Sequence, residues 1–272
     1  MKLKNFITSN FDKIEIEESN ENRNVLIARL IGLLLTDGGL SRISGKRWRI
    51  HFTSNSEHLT NEFEKLVRHL FNLSMAKEYR KGAWRVQAWV SRKVKEELLS
   101  YSQTYRTLSI EGKETEATIP SFIFSDKELA TEFLKYAFTG DGTIIFNIGK
   151  ARYGFRFDRC VKLYSEHSRL RKQYFELLKK LGYKPTMPKD AVLLRRQENI
   201  IKFTNEIGFV ERVKILGKGL WAGISKAELL RFAANSYNLK PKSLGKSKID
   251  IHANLVNLIL RSGYQMILPW AG

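Results

Sequence analysis

Two aspartates, Asp37 and Asp141, each close an apolar stretch and are each followed by glycine. The first stretch reads Leu30-Ile31-Gly32-Leu33-Leu34-Leu35-Thr36-Asp37-Gly38. The second reads Leu134-Lys135-Tyr136-Ala137-Phe138-Thr139-Gly140-Asp141-Gly142. Apolar-periodic runs that stop at Asp-Gly predict helices ended by glycine. Ala28, Gly32 and Thr36 recur every fourth residue, a stripe of small side chains on one helix face that admits a second helix at close range. Tyr136 and Gly140 are the matching interface positions of the second helix. If the two helices pack, Asp37 and Asp141 meet at one end. Carboxylates held side by side repel unless a cation lies between them. Oxygen ligands select hard divalent cations, Mg²⁺ foremost, with Mn²⁺ and Ca²⁺ as alternatives. Such ions activate water and stabilise the leaving oxygen in an in-line phosphodiester displacement. A lone Asp-Gly is ordinarily a turn or helix stop. Two at matching places call for more than a turn.

The elements that position these acids repeat along the chain. Residues 24–36 form the first helix, 40–53 a hairpin turning at Ser44-Gly45, and 56–71 a helix with Ser56 as N-cap. A hairpin over 75–90 turns at Gly82, and 91–104 is a short helix. The pattern recurs as a helix over 126–140, a hairpin over 143–164 turning near Gly149, a helix over 166–181, two short strands within 183–196 and a helix over 198–207. Ser56-Glu57-His58 opens the middle helix of the first half and Ser165-Glu166-His167 that of the second. A duplicated unit is therefore expected. It divides the chain into an extension (1–22), a first repeat (23–104), a linker (105–125), a second repeat (126–224) and a helical C-terminal extension (225–272).

The net charge of +19 predicts a polyanionic partner. With 43% hydrophobic residues the chain has the composition of a folded protein. No apolar run reaches the length of a membrane span, and the first residues lack the apolar core of a signal peptide, so a soluble intracellular protein is expected, cytoplasmic, nucleoid or organellar. The single cysteine, Cys160, excludes an intrachain disulfide and a Cys-rich zinc site. The five histidines show no H-x-x-x-H spacing, which argues against a zinc hydrolase.

The positive charge falls on strands with a period of two. Trp48, Ile50 and Phe52 alternate with Arg47, Arg49, His51 and Thr53, and Val86, Ala88 and Val90 with Arg85, Gln87 and Trp89. In the second half Tyr153, Phe155, Phe157, Val161 and Leu163 alternate with Arg152, Arg156, Asp158 and Lys162, while Arg159 breaks the apolar face. Arg, Gln, His and Thr on one sheet face are the side chains that read base edges in the major groove. Arg42, Lys46 and Arg195 complete the expected DNA-contacting set.

Over about residues 24–210 the two motifs resemble those of the single-chain LAGLIDADG homing endonucleases. Leu30, Gly32, Leu33, Asp37 and Gly38 match the first motif, and Asp141 and Gly142 the second, where Tyr136 replaces a glycine. Residues 198–209 look like the end of such a repeat. The resemblance implies an α+β fold of two pseudo-symmetric αββαββα repeats whose sheets form a saddle on double-stranded DNA, with the motif helices as the interface. It implies a monomeric site-specific double-strand endonuclease of the intron- or intein-mobility kind. Asp37 and Asp141 would bind the metals, with Gly38 and Gly142 beside the site. Family members often carry Lys or Gln just after the second strand of each half. Here those places read Ser54-Asn55 and Tyr164-Ser165, with Lys162 and Lys46 as candidate substitutes. The competing reading is a non-cutting nucleic-acid binder on the same scaffold, an RNA splicing maturase or a DNA-binding regulator. The tail, with Lys240, Lys242, Lys246 and Lys248, reads either as an added DNA-binding module or as a helical cap with a solvated basic loop.

Overall fold

The structure, a computed structural model, describes residues 21–44, 47–109, 111–216 and 219–261. Lys46, the hairpin glycine Gly45 and the 1–20 part of the N-terminal extension lie outside the described residues.

Helix α1 (Arg23–Leu34) is capped by the Asn22 side chain, which accepts from the Asn24 amide at 3.0 Å. Apart from Arg29 it is buried from Val25 to Leu34, as a largely apolar sequence requires of a central helix. There follow β1 (Gly38–Ser44), β2 (Arg47–Ser54), α2 (Glu57–Phe71), β3 (Ala76–Arg80), β4 (Ala83–Val90) and α3 (Arg92–Tyr101). The four strands form an antiparallel sheet in the order β1-β2-β4-β3. After the short α4 (Ser121–Ser125) come α5 (Lys127–Asp141), β5 (Gly142–Ala151), β6 (Gly154–Tyr164), α6 (Ser168–Lys180), β7 (Ala191–Leu194) and α7 (Gln197–Glu206). The second sheet has the order β5-β6-β7. Helices α8 (Lys226–Asn235) and α9 (Lys248–Arg261) and two short 3-10 turns follow.

The fold is thus α+β with antiparallel sheets, but the second half is not a full copy of the first. One strand, β7, stands where two were expected. Thr186 makes only an isolated bridge to Leu193, flanked by Pro185 and Pro188, and proline cannot donate to a ladder. The β5–β6 hairpin closes between Ala151 and Gly154, not near Gly149, which pairs with Arg156 inside the ladder. Tyr153 therefore stands in the turn, 87% exposed, rather than on the inner face. The middle helices also begin differently. Ser56 caps α2, accepting from the Leu59 amide, whereas α6 starts later and is capped by His167 Nδ1, which accepts from the Leu170 amide at 3.2 Å.

Helices α1 and α5 pack across the small stripe. A Cβ on Gly32 would lie 2.7 Å from the Phe133 carbonyl oxygen and 3.1 Å from Tyr136 Cβ. A Cβ on Gly140 would lie 2.9 Å from Thr36 Cβ. Ala28 is fully buried, and Tyr136 is buried with the Arg29 guanidinium 5.7 Å from its ring centre. Arg29 also ties α1 to α5 through Glu132 at 2.6 Å.

Candidate metal centre and nucleic-acid interface

Because Thr36 touches Gly140, the residues that follow them, Asp37 and Asp141, come together at the shared end of α1 and α5. The two Asp-Gly steps make the same close approach, although α1 ends at Leu34 and α5 runs through Asp141. A Cβ on Gly38 would lie 2.7 Å from Leu34 Cα, and one on Gly142 would lie 2.9 Å from Phe138 Cα. In each half the chain folds back from helix to strand so tightly that the residue after the acid rests on the residue four before it. Only glycine fits there, and β1 and β5 leave directly from the two acids.

Asp37 is open to solvent on one side, yet enough protein surrounds its carboxyl that burial raises its pKa, with Lys226 opposing. Asp141 is half-buried and pushed up to about 7, first by burial and then by the Asp37 charge, again against Lys226. The acids therefore act on each other electrostatically. This donor set is all oxygen and carries more negative charge than the site neutralises, which fits a hard divalent cation completed by phosphate oxygens or water. Among the described residues no cluster of three or more His, Cys, Asp or Glu could hold a metal without such help.

Lys226, from the C-terminal extension, was not anticipated from sequence. Its half-buried ammonium donates to the Thr139 and Gly142 carbonyls, both at 2.7 Å. Those carbonyls bracket Asp141. Burial lowers its pKa to about 8 against the pull of both acids. Its backbone is fixed by a capping box: Ser225 Oγ accepts from the Glu228 amide and Glu228 Oε2 from the Ser225 amide, both at 3.1 Å. The Ser-x-x-Glu pattern at Ser225–Glu228 marks this helix start in the sequence, but nothing local tells where the lysine points. Of the proposed substitutes near the acids, Lys162 pairs with Thr143, two residues after Asp141, and its ammonium lies 3.6 Å from the Tyr164 ring centre and 3.8 Å from Asp190.

On the first sheet, cross-strand register decides the faces. Gly39 pairs with His51, Ser41 with Arg49, His51 with Gln87, Arg49 with Trp89, and Thr53 with Arg85. These residues share the face away from the helices, and Arg49 donates to Gln87 Oε1 at 2.8 Å. Trp89 is 54% exposed there, and Arg47 is exposed at the hairpin end. Arg42 pairs with Trp48, on the side of Ile50, so register places it off this face, and Ser41 takes the position instead. Arg80, missed in the sequence, pairs with Ala83 beside Arg85 and joins the face, as does Glu78, 4.0 Å from Arg85. Burial and the charges of Arg49 and Arg85 lower the pKa of His51. Ser41 Oγ, Arg49 Nε, His51 Nδ1 and Arg85 Nε are shielded here without a hydrogen-bond partner. Such atoms are rare in a finished interior.

The second sheet is less basic. Its outer face carries Thr143, Asn147, Lys162 and the ion pair Arg156–Asp158 (2.9 Å) around an apolar patch of Ile145, Cys160 and Leu193. Arg152 lies in the exposed turn, 5.3 Å from the Tyr153 ring centre, and Arg195 is exposed just past β7. Arg159, on the inner face, clamps the C-terminal extension. It donates to Ser236 Oγ (2.9 Å) and the Ser236 carbonyl (2.6 Å), and lies 4.2 Å from the Tyr237 ring centre. Trp221 Nε1 donates to the Phe146 carbonyl on the same face. Arg159→Ala is expected to destabilise the fold by about 2–3 kcal/mol, since hydrogen bonds from a charged donor are lost in a partly buried setting. The exposed Arg156→Ala should change stability by less than about 0.5 kcal/mol. Urea unfolding of both variants reads the contrast.

Residues 24–114 match the family model described as LAGLIDADG-like domain. No curated protein matches the chain. Among solved structures, mesophilic variants of the homing endonuclease I-DmoI superpose with a TM-score of 0.51 at 18% identity, covering 73% of this chain and 97% of theirs. I-DmoI in complex with DNA and Mn gives 0.49 at 17% identity, over 68% of this chain and 97% of that one. The N-terminal LAGLIDADG domain of DUF199/WhiA gives 0.46 at 16%, over 72% and 88%. Among the described residues no helix is long and apolar enough to cross a membrane. The chain thus carries a match to the LAGLIDADG-like domain at residues 24–114 and shares the fold of the I-DmoI variants over most of its length.

Proposed function

We propose that this protein is a site-specific DNA endonuclease that cuts both strands of a long duplex site with divalent cations held by Asp37 and Asp141. The observation that carries the reading is the pairing of two partly buried acids, one from each motif helix, within electrostatic reach of one another. When bound, the cations supply an activated water and charge neutralisation at the leaving oxygen. The chain's own residues do the rest. Gly38 and Gly142 let the strands leave the acids without crowding them, and the Gly32 and Gly140 contacts hold the carboxylates at fixed spacing. The first-sheet face, with its shielded unpaired donors, fits base edges and phosphates. That I-DmoI is a homing endonuclease agrees with this reading.

One observation favours a second reading, DNA binding without cutting: Lys226 already supplies a positive charge at the acid pair. The deciding experiment is selection from a randomised duplex library with Mg²⁺ or Mn²⁺, sequencing bound and cut molecules separately. The nuclease reading expects one site class with metal-dependent breaks in both strands. Enrichment of a site without breaks sinks it in favour of the second.

Within the nuclease reading, Arg49→Ala or Arg85→Ala is expected to weaken binding to the selected site by about 1–3 kcal/mol where the side chain contacts a base edge. A phosphate contact would weaken specific and random DNA alike and flatten the salt dependence. Trp48→Ala, on the helix-facing side with Lys95 5.8 Å from its ring centre, should lower stability and leave affinity unchanged. Fluorescence anisotropy at several salt concentrations separates these outcomes.

A further inference from the structure

We propose that Lys226 is the resident counter-ion of the Asp37–Asp141 pair, and that a divalent cation must displace its ammonium to enter. The inference rests on the metal-site reading above. It makes the C-terminal extension a governor of metal occupancy rather than a passive cap.

The Lys226 ammonium bonds the Thr139 and Gly142 carbonyls, one on each side of Asp141. Both acids act on it electrostatically. A positive charge thus lies within the electrostatic field of the pair, where an incoming divalent cation would meet like-charge repulsion. The lysine is also held from behind. The Ser225–Glu228 capping box sets the start of α8, and the Lys226 amide donates to the Val213 carbonyl at 2.8 Å. The ammonium can swing only about its own side chain, and its four-carbon stem permits that swing. The Thr139 hydroxyl meanwhile accepts from the Val210 amide at 2.9 Å, keeping the carbonyl at this turn in place.

The test is Mn²⁺ binding to the full-length, DNA-free protein, followed by the electron paramagnetic resonance of free Mn²⁺. Lys226→Met removes the competing charge and should tighten Mn²⁺ binding roughly tenfold or more, while Lys226→Arg should not. A lysine that only braces α8 would lower the melting temperature of Lys226→Met and leave Mn²⁺ affinity unchanged or weaker, which overturns the proposal. A second measurement needs no variant. Acylation of Lys226 by an amine-reactive reagent, read by mass spectrometry, should speed up several-fold when Mn²⁺ is added to the wild-type protein. Unchanged labelling contradicts displacement. If Mn²⁺ affinity is indifferent to Lys226 while metal-dependent cutting is observed, this proposal fails and the nuclease reading stands. If no cutting is found but Lys226→Met still tightens Mn²⁺ binding, the nuclease reading fails and this one stands.

Discussion

Asp37→Asn and Asp141→Asn should each abolish double-strand cleavage of the selected site and leave affinity for that site largely unchanged. Each acid comes from a different helix end, and the basic sheet face lies on other elements, so the proposed function assigns chemistry and affinity to separate residues. An amide keeps the volume of the carboxylate but loses the charge that holds a divalent cation, and the metal-dependent acceleration goes with it. Full cutting by either variant would exclude the two-acid site. The same substitutions carry a thermodynamic signature. In the folded protein Asp141 titrates at about 7 against an ordinary 3.8. Between those values the folded state holds a proton that the unfolded chain has lost, so the cost of charging Asp141 grows as pH rises through this window and is fully present above it. Asp141→Asn should therefore melt at a higher temperature than the wild type at pH 8 in chelator, with the difference vanishing toward pH 4. A wild-type advantage at pH 8 would mean that Lys226 more than offsets the burial of Asp141.

Gly32→Leu should damage folding and cutting together. Even the first added carbon would lie 2.7 Å from the Phe133 carbonyl, which is backbone of a packed helix and cannot rotate away. Overpacking of this kind typically costs about 1–3 kcal/mol, and a leucine adds further carbons beyond that Cβ. Relief requires α1 and α5 to separate, which moves Asp37 from Asp141. Misplacement of about 1 Å can cost on the order of a hundredfold in rate. Gly32→Ala should show the same effects at smaller size. Thermal melting and a cleavage time course on the same sample check both, and an unchanged melting temperature with normal cutting would remove the close helix contact from the account.

The parts legible in the sequence were those set by local pattern. The Asp-Gly steps, the small stripe along α1 and the alternation in β2 and β4 all depend on spacing alone, and the structure places each where that spacing requires. The second half was harder to read because its regular pattern is interrupted. Two prolines around Thr186 suppress a strand, and the turn at Arg152-Tyr153 lies beyond a glycine that looked like the natural place to reverse. The face of Arg42 follows from its pairing with Trp48, a register that the strand's own sequence does not reveal. Arg159 breaks the apolar alternation with no local reason, because its partners, Ser236 and Tyr237, lie far along the chain. Lys226 was invisible for the same reason: a capping box predicts where α8 begins, not that its first residue reaches across to the end of α5.

The central claim is that Asp37 and Asp141 together hold a divalent cation against DNA. Crystals of the protein with its selected duplex and Mn²⁺, measured for anomalous scattering from manganese, test it most directly. The account predicts manganese between the two carboxylates, in contact with a DNA phosphate and with the Lys226 ammonium moved off the Thr139 and Gly142 carbonyls. DNA seated on the sheets with no manganese at the acids, and Lys226 still bonded to both carbonyls, would contradict it.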